Sequence, residues 1–303
     1  MDARWVVAGA LLIAAASGCQ LWLDVDHAQC DSDAACIDLL GSGATCGEGG
    51  VCSMPSQLGM TADSVRALPS RWSCASTPAD AVTADTARML RVRMDVVDVT
   101  TLRLPQGLSG VACNWSDGEC TRPVSHGIAP GDDGFIEVEL PYGFQGYFSL
   151  MAPGYLPALA YHNRPYTEPT SLRGPPMLTA SVLDAIAAAV GGGANDASSR
   201  GVALLDIRDC NDTAGDGVRF VEVDGHAASY FKGALPAPDL TQTAISNQLS
   251  PGREPRALAV FLDLEPGPTT FRAVLPDSGE AVSRVTVEIR AGHVTYVRIR
   301  AGY

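Results

Sequence analysis

Cysteine is the residue type with the most chemistry in this sequence, and there are nine of them. Cys30, Cys36, Cys46 and Cys52 are spaced C-x5-C-x9-C-x5-C in a stretch rich in Gly, Asp and Ser. Such a stretch buries too little apolar surface to fold unaided, so the spacing predicts two disulfides. Cys30–Cys46 with Cys36–Cys52 is one pairing among those open. Zinc would ask for C-x2-C pairs and a reducing compartment. Cys74, Cys113, Cys120 and Cys210 are read as disulfide cysteines too. Cys113 and Cys120 flank NWSDGE, whose Asp-Gly is a tight-turn signal, so a disulfide across that hairpin is expected. Cys19 is the odd one out: without it an even set remains. The histidines (His27, His126, His162, His226, His293) are scattered, with no H-x-H or H-E-x-x-H pair. No G-x-S-x-G elbow or phosphate-binding loop occurs. The acidic group Asp24, Asp26, Asp31 and Asp33 lacks the D-x-D-x-D-G order of a calcium loop and reads as a solvated face. No catalytic residue, metal or cofactor is therefore expected. A run of aromatics, Tyr142, Phe144, Tyr147, Tyr155 and Tyr161, could stack on sugar rings or fill a partner's pockets. The same residues also suit the core of a β-sandwich.

The elements that must carry these residues begin with a leader. Residues 5–16, WVVAGALLIAAA, are apolar and uncharged. A membrane span needs about twenty residues, so this run reads as a secretory signal covering 1–18, with Arg4 before it. Ala16-Ser17-Gly18-Cys19 follows and resembles the lipobox of bacterial lipoproteins, with Ala where Leu is usual at the first position. The resemblance implies cleavage before Cys19, lipid on its thiol, fatty acyl chains such as palmitate at the new amino terminus, and a membrane as partner. Gln20 after the cysteine implies delivery to the outer membrane in Gram-negative cells.

The chain has 303 residues, enough for two or three domains, with 31 Gly and 20 Pro that favour short strands and turns over long helices. A formal charge of −13 argues against nucleic acid as a partner. Residues 19–70 form the Cys-rich segment and linker. Strand patterns then occupy 71–170, clearest in LRVRMDVVDV (90–99) and the alternating FIEVEL (135–140). Within a linker at 171–199, residues 177–190 read as a helix, with Leu178, Val182, Ile186 and Val190 four apart and Gly191 ending it. Strands return over 200–303, including VALLDIRDC, ALAVFLDL and VTYVRIR. The fold class is mainly β: two antiparallel sandwich modules, one short helix between them, and a disulfide-rich amino-terminal segment.

Two stretches, 135–155 and 259–279, share the plan strand, Pro/Gly turn, strand, turn. With Gly217-Val218, Asp133-Gly134, Pro141 and Gly143, and Pro266-Gly267, this order resembles the carboxypeptidase regulatory-like domain, a transthyretin-like sandwich. The T-D-x-x-G turn is missing from the second stretch. The whole layout looks like Cys-rich surface lipoproteins of Gram-negative bacteria. It implies a lipid-anchored cell-envelope protein with a structural or adhesion role. The alternatives are a carbohydrate- or peptide-binding receptor, meeting a glycan or an envelope protein, and an accessory subunit of an envelope hydrolase or peptidase.

Overall fold

The computed structural model describes residues 71–76, 82–131, 134–191, 198–246 and 254–303, with Ser32, Ala34 and the short strands β1 (Thr45–Cys46) and β2 (Cys52–Ser53). β1 and β2 pair antiparallel, Cys46 opposite Cys52, in a unit that ends at Val65. The leader, Cys19, Cys30, Cys36, their expected disulfides and the rest of the linker lie outside the described residues. A second unit runs from Arg66 to Tyr303.

In this unit the first strands are β3 (Asp85–Asp98), β4 (Ser109–Asn114), β5 (Ser125–Ile128), β6 (Ile136–Tyr142), β7 (Gly146–Met151), β8 (Ala158–His162) and β9 (Thr170–Met177). After helix α1 (Ala180–Ala189) come β10 (Gly201–Arg208), β11 (Arg219–Phe220), β12 (Ser229–Phe231), β13 (Pro236–Ala237) and β14 (Ile245–Ser246). The chain closes with β15 (Arg256–Leu264), β16 (Gly267–Val274), β17 (Ala281–Ile289) and β18 (Val294–Arg300). Ten of these strands form one central sheet in the order β13-β12-β15-β10-β18-β8-β7-β4-β5, with β14 also beside β15. Two three-stranded sheets, β6-β3-β9 and β11-β16-β17, complete the fold.

Every residue of β10 is buried, as a strand covered on both faces requires. Alternate residues then enter different cores. Leu204, Tyr296, Ala160 and Phe148 join Val92, Met94, Val138 and Leu140 of the β6-β3-β9 sheet. Their neighbours Leu205, Val297, Tyr161 and Tyr147 join Phe220, Phe271 and Val285 of the β11-β16-β17 sheet. The protein is thus mainly β and sandwich-like, as its alternating strands suggest, with two cores lying on opposite faces of one shared sheet.

That sharing corrects the expected division at 170 and 200. β10, β18 and β8 are hydrogen-bonded side by side and run parallel, which joins the earlier half of the chain to the later one within a single unit. Parallel neighbours need long crossovers, and the stretch containing β9 and α1 supplies one. β9, TSLRGPPM, falls in the stretch read as a linker; its Pro175 and Pro176 are tolerated because it lies at a sheet edge, parallel to β3. Helix α1 starts later than the apolar pattern suggests because Met177 ends β9. Thr179 caps it, its hydroxyl accepting from the Val182 amide at 3.3 Å. Leu183, Ile186 and Ala187 are buried, the first two in the first core, so the stripe packs on its own body.

The outer face of the β6-β3-β9 sheet is solvated. Arg91 and Arg93 on β3 stand opposite Glu139 and Glu137 on β6, with an Arg91–Glu137 pair at 3.1 Å. Exposed pairs of this kind contribute about 0–1 kcal/mol. They keep the face soluble more than they hold the fold.

Candidate functional site

Three groups of side chains stand out, and the first is a latch at the start of the second unit. Trp72 is buried in the second core, and Cys74 is disulfide-bonded to Cys210, just beyond β10, with Cα atoms 5.7 Å apart. Arg71 reaches Asp209 with its Nε at 2.6 Å, and its other nitrogens contact the Asp216 carboxylate and the Ala214 carbonyl. The Cys210 amide donates to the Arg71 carbonyl at 3.1 Å. Asp209 also accepts from the Asn211 amide and from the amide and hydroxyl of Thr213, which folds the 209–213 loop around it. Burial would raise this carboxyl, but the Thr213 bonds and the Arg71 charge outweigh it and hold the carboxyl below its ordinary value. Gly215 lies against the Trp72 ring: a Cβ there would come within 2.8 Å of it. Disulfide, ion pair and buried indole therefore fasten one short segment to the body.

The second group is a charged row on the first-core face of the central sheet. Asp206, Arg298 and His162 are neighbours across β10, β18 and β8, with Arg208 beside Arg300 one step along. Asp206 and Arg208 have no exposed side-chain area, yet they pair at 3.1 Å. Arg208 also meets Glu254 at 2.5 Å, and the Tyr296 hydroxyl donates to Asp206 at 2.8 Å. Arg256 donates to the Gly174 carbonyl at 3.1 Å, and Arg298 pairs with Asp212 at 3.3 Å. Burial pushes the Asp206 carboxyl up. The guanidiniums of Arg208, Arg256 and Arg298, with the Tyr296 hydroxyl, more than reverse this and keep it ionised below its usual range. Burial, reinforced by Arg164, Arg298 and Arg300, pushes the His162 imidazole well below its ordinary value, so it is neutral there. Its contacts make this row a structural ion network. No Ser, Asp or Glu among the described residues hydrogen-bonds to the ring of His162 or His226, as an acid–base pair would require. His293 Nδ1 lies 2.8 Å from the Ala291 carbonyl, and for His126 only the backbone in β5 is described. Among the described residues no cluster of His, Cys, Asp and Glu is arranged to hold a metal.

The third group is the aromatic run, which the fold splits. Phe144, Tyr147 and Tyr161 are buried, and this removes them as binding residues. Tyr147 and Tyr161 stack at 4.8 Å, with Trp115 edge-on to Tyr161 at 5.3 Å. They lie beneath the 114–119 loop, where Cys113 is disulfide-bonded to Cys120 and the Tyr147 hydroxyl donates to the Asp117 carbonyl at 2.8 Å. Phe144 stacks on Tyr166 in the first core. Tyr142 is half-exposed under the Arg88 guanidinium, 4.4 Å from its ring centre. Tyr155 is half-exposed and lines a groove of about 760 Å³.

The latch and the charged row went unnoticed in the sequence, although a signal for the row was present. Charges two apart in L-L-D-I-R (204–208) and V-R-I-R (297–300) sit inside runs that are otherwise apolar on both faces. Such charges must be buried on one side and therefore paired.

No protein-family model matches the chain, and no curated protein matches it. Solved structures with partial similarity include the Bacillus anthracis TIE protein, 12% identical over 70% of this chain and 34% of that one, TM-score 0.23. Another is GBS52, the minor pilin of Streptococcus agalactiae, 10% identical over 70% of this chain and 95% of that one, TM-score 0.22. A third is the Bacillus cereus major pilin subunit BcpA carrying D312A, 10% identical over 68% and 69%, TM-score 0.21. This chain spans about a third of the length of the first. Scores this low transfer neither fold nor role.

Proposed function

We propose that this chain is an exported cell-envelope protein, tethered to a membrane by lipid on Cys19, with a structural or adhesion role and no chemistry of its own. The observation that carries the reading is the latch. Disulfides form and persist in oxidising compartments, and Cys74–Cys210 and Cys113–Cys120 are both closed. Cys74–Cys210 also fixes the segment that follows the leader and linker to a strand in the middle of the central sheet. A pull arriving through the tether would reach β10 through a covalent bond before it reached the exposed start of β3. Among the described residues no helix is long and apolar enough to cross a membrane. Outer-membrane delivery follows from Gln20 under the same lipobox resemblance.

Fractionation of cells expressing the full chain tests this. The parent is expected in the membrane fraction, released by detergent and not by salt, and labelled by palmitate. Cys19→Ala is expected unlabelled and in the soluble fraction. A parent chain found soluble and unlabelled would remove the tether.

A further inference from the structure

We propose that the groove beside Tyr155 is a saccharide-binding site, a role independent of the lipid anchor. Its walls are the 98–107 loop after β3 and the 152–155 turn between β7 and β8. Its volume of about 760 Å³ lies within the ~300–1,000 Å³ typical of small-ligand sites.

Both walls are set before any ligand arrives. Asp98 is the organiser: one carboxylate oxygen accepts from the Thr100 amide and hydroxyl, both at 2.7 Å, and from the Thr101 amide at 3.3 Å. Its other oxygen accepts from the Tyr155 hydroxyl at 2.8 Å, which ties one wall to the other. Two backbone bonds, Leu102 to the Asp98 carbonyl and Asp98 to the Arg103 carbonyl, each 2.8 Å, close the loop. Leu102 is held at φ 55, a left-handed conformation costly for a branched side chain. Gly107, at φ +68, lets the loop approach the turn; a Cβ there would be 3.2 Å from Pro153. A rigid groove loses little conformational freedom on binding.

The chemistry of the lining selects the ligand. Tyr155, Leu104 and Pro153 offer apolar surface, and Tyr155 can add an aromatic face for the C–H side of a sugar ring. Its hydroxyl and the Asp98 carboxylate are spent on each other. The exposed Arg103 guanidinium and Gln106 amide have no partner among the described residues, so planar hydrogen-bonding groups remain for hydroxyls. Apolar surface beside forked donors matches a polyhydroxylated ring. An extended peptide is a poorer fit, because the walls are a loop and a turn and offer no strand edge to pair with. Nucleic acid is disfavoured by the charge of −13.

The test is isothermal titration of the detergent-solubilised full chain with chitohexaose, cellohexaose, maltohexaose and a hyaluronan hexasaccharide. At least one is expected to bind. Arg103→Ala and Gln106→Ala, both at exposed positions and expected to fold, are each expected to weaken it about tenfold, the loss of one hydrogen-bonding group worth about 1.4 kcal/mol. Arg91→Ala, on the outer face of β3, should leave the affinity unchanged. Binding to none of the four, or equal binding by the Arg103→Ala/Gln106→Ala double variant, overturns the assignment. A parent chain found soluble and unlabelled that still binds would sink the tether and leave the groove standing.

Discussion

Asp206→Asn is expected to lower folding stability by about 3–5 kcal/mol, the cost of leaving buried charge without its partner. Asp206 has no exposed side-chain area and meets Arg208 at 3.1 Å, Arg256 at 4.0 Å and the Tyr296 hydroxyl at 2.8 Å. Asn keeps the shape and removes the charge, so Arg208 and Arg256 would face a neutral amide in a medium that solvates them poorly. Glu254 remains near Arg208 but is 42% exposed, and water screens much of its charge. For a body of this size each kcal/mol moves the melting temperature by about 2–4 °C. A fall of roughly 10 °C is therefore expected in a thermal or urea melt. Arg91→Ala, which breaks the exposed Arg91–Glu137 pair, should change stability by less than about 1 kcal/mol. Equal effects from the two substitutions would mean that the buried row does not act as an ion network.

The second large effect concerns the disulfides, and here the order matters more than the size. Cys74 and Cys210 are 136 residues apart in sequence, Cys113 and Cys120 only seven. Cross-linking restricts the unfolded chain more when the closed loop is longer: about 5 kcal/mol for the first and about 2 kcal/mol for the second. Cys210→Ser should thus destabilise the body more than Cys120→Ser, read as the shift in urea midpoint. It should also expose the chain around Trp72 to protease, because Arg71 and the indole would then be holding the segment alone. Cys120→Ser leaves that segment fastened and should not. Reversed order would place the main staple at the hairpin and deprive the latch of its role.

Much of the fold was legible from residue types alone. Alternation in 135–140 placed Ile136, Val138 and Leu140 inward with Glu137 and Glu139 outward, as they are in β6. The four-residue apolar spacing gave α1 to within three residues at its start. The connection of the halves was not legible, because a fully buried strand such as β10 shows no alternation and does not reveal which neighbours cover it. For the same reason the two cores looked like two modules. Of the aromatic run, read either as core or as a binding face, Phe144, Tyr147 and Tyr161 took the core reading, Tyr161 beside Val297 of the distant β18. Tyr155 lines the groove through a contact with Asp98, 57 residues earlier, that no local pattern could announce.

The latch supports the envelope reading more directly than anything else in the molecule, and peptide mapping of protein alkylated in intact cells reads it without perturbation. The expected result is a non-reduced digest containing the Cys74 peptide joined to the Cys210 peptide, with neither thiol alkylated. Cys74 and Cys210 recovered as free alkylated thiols would place the chain in a reducing compartment and contradict the account at its base.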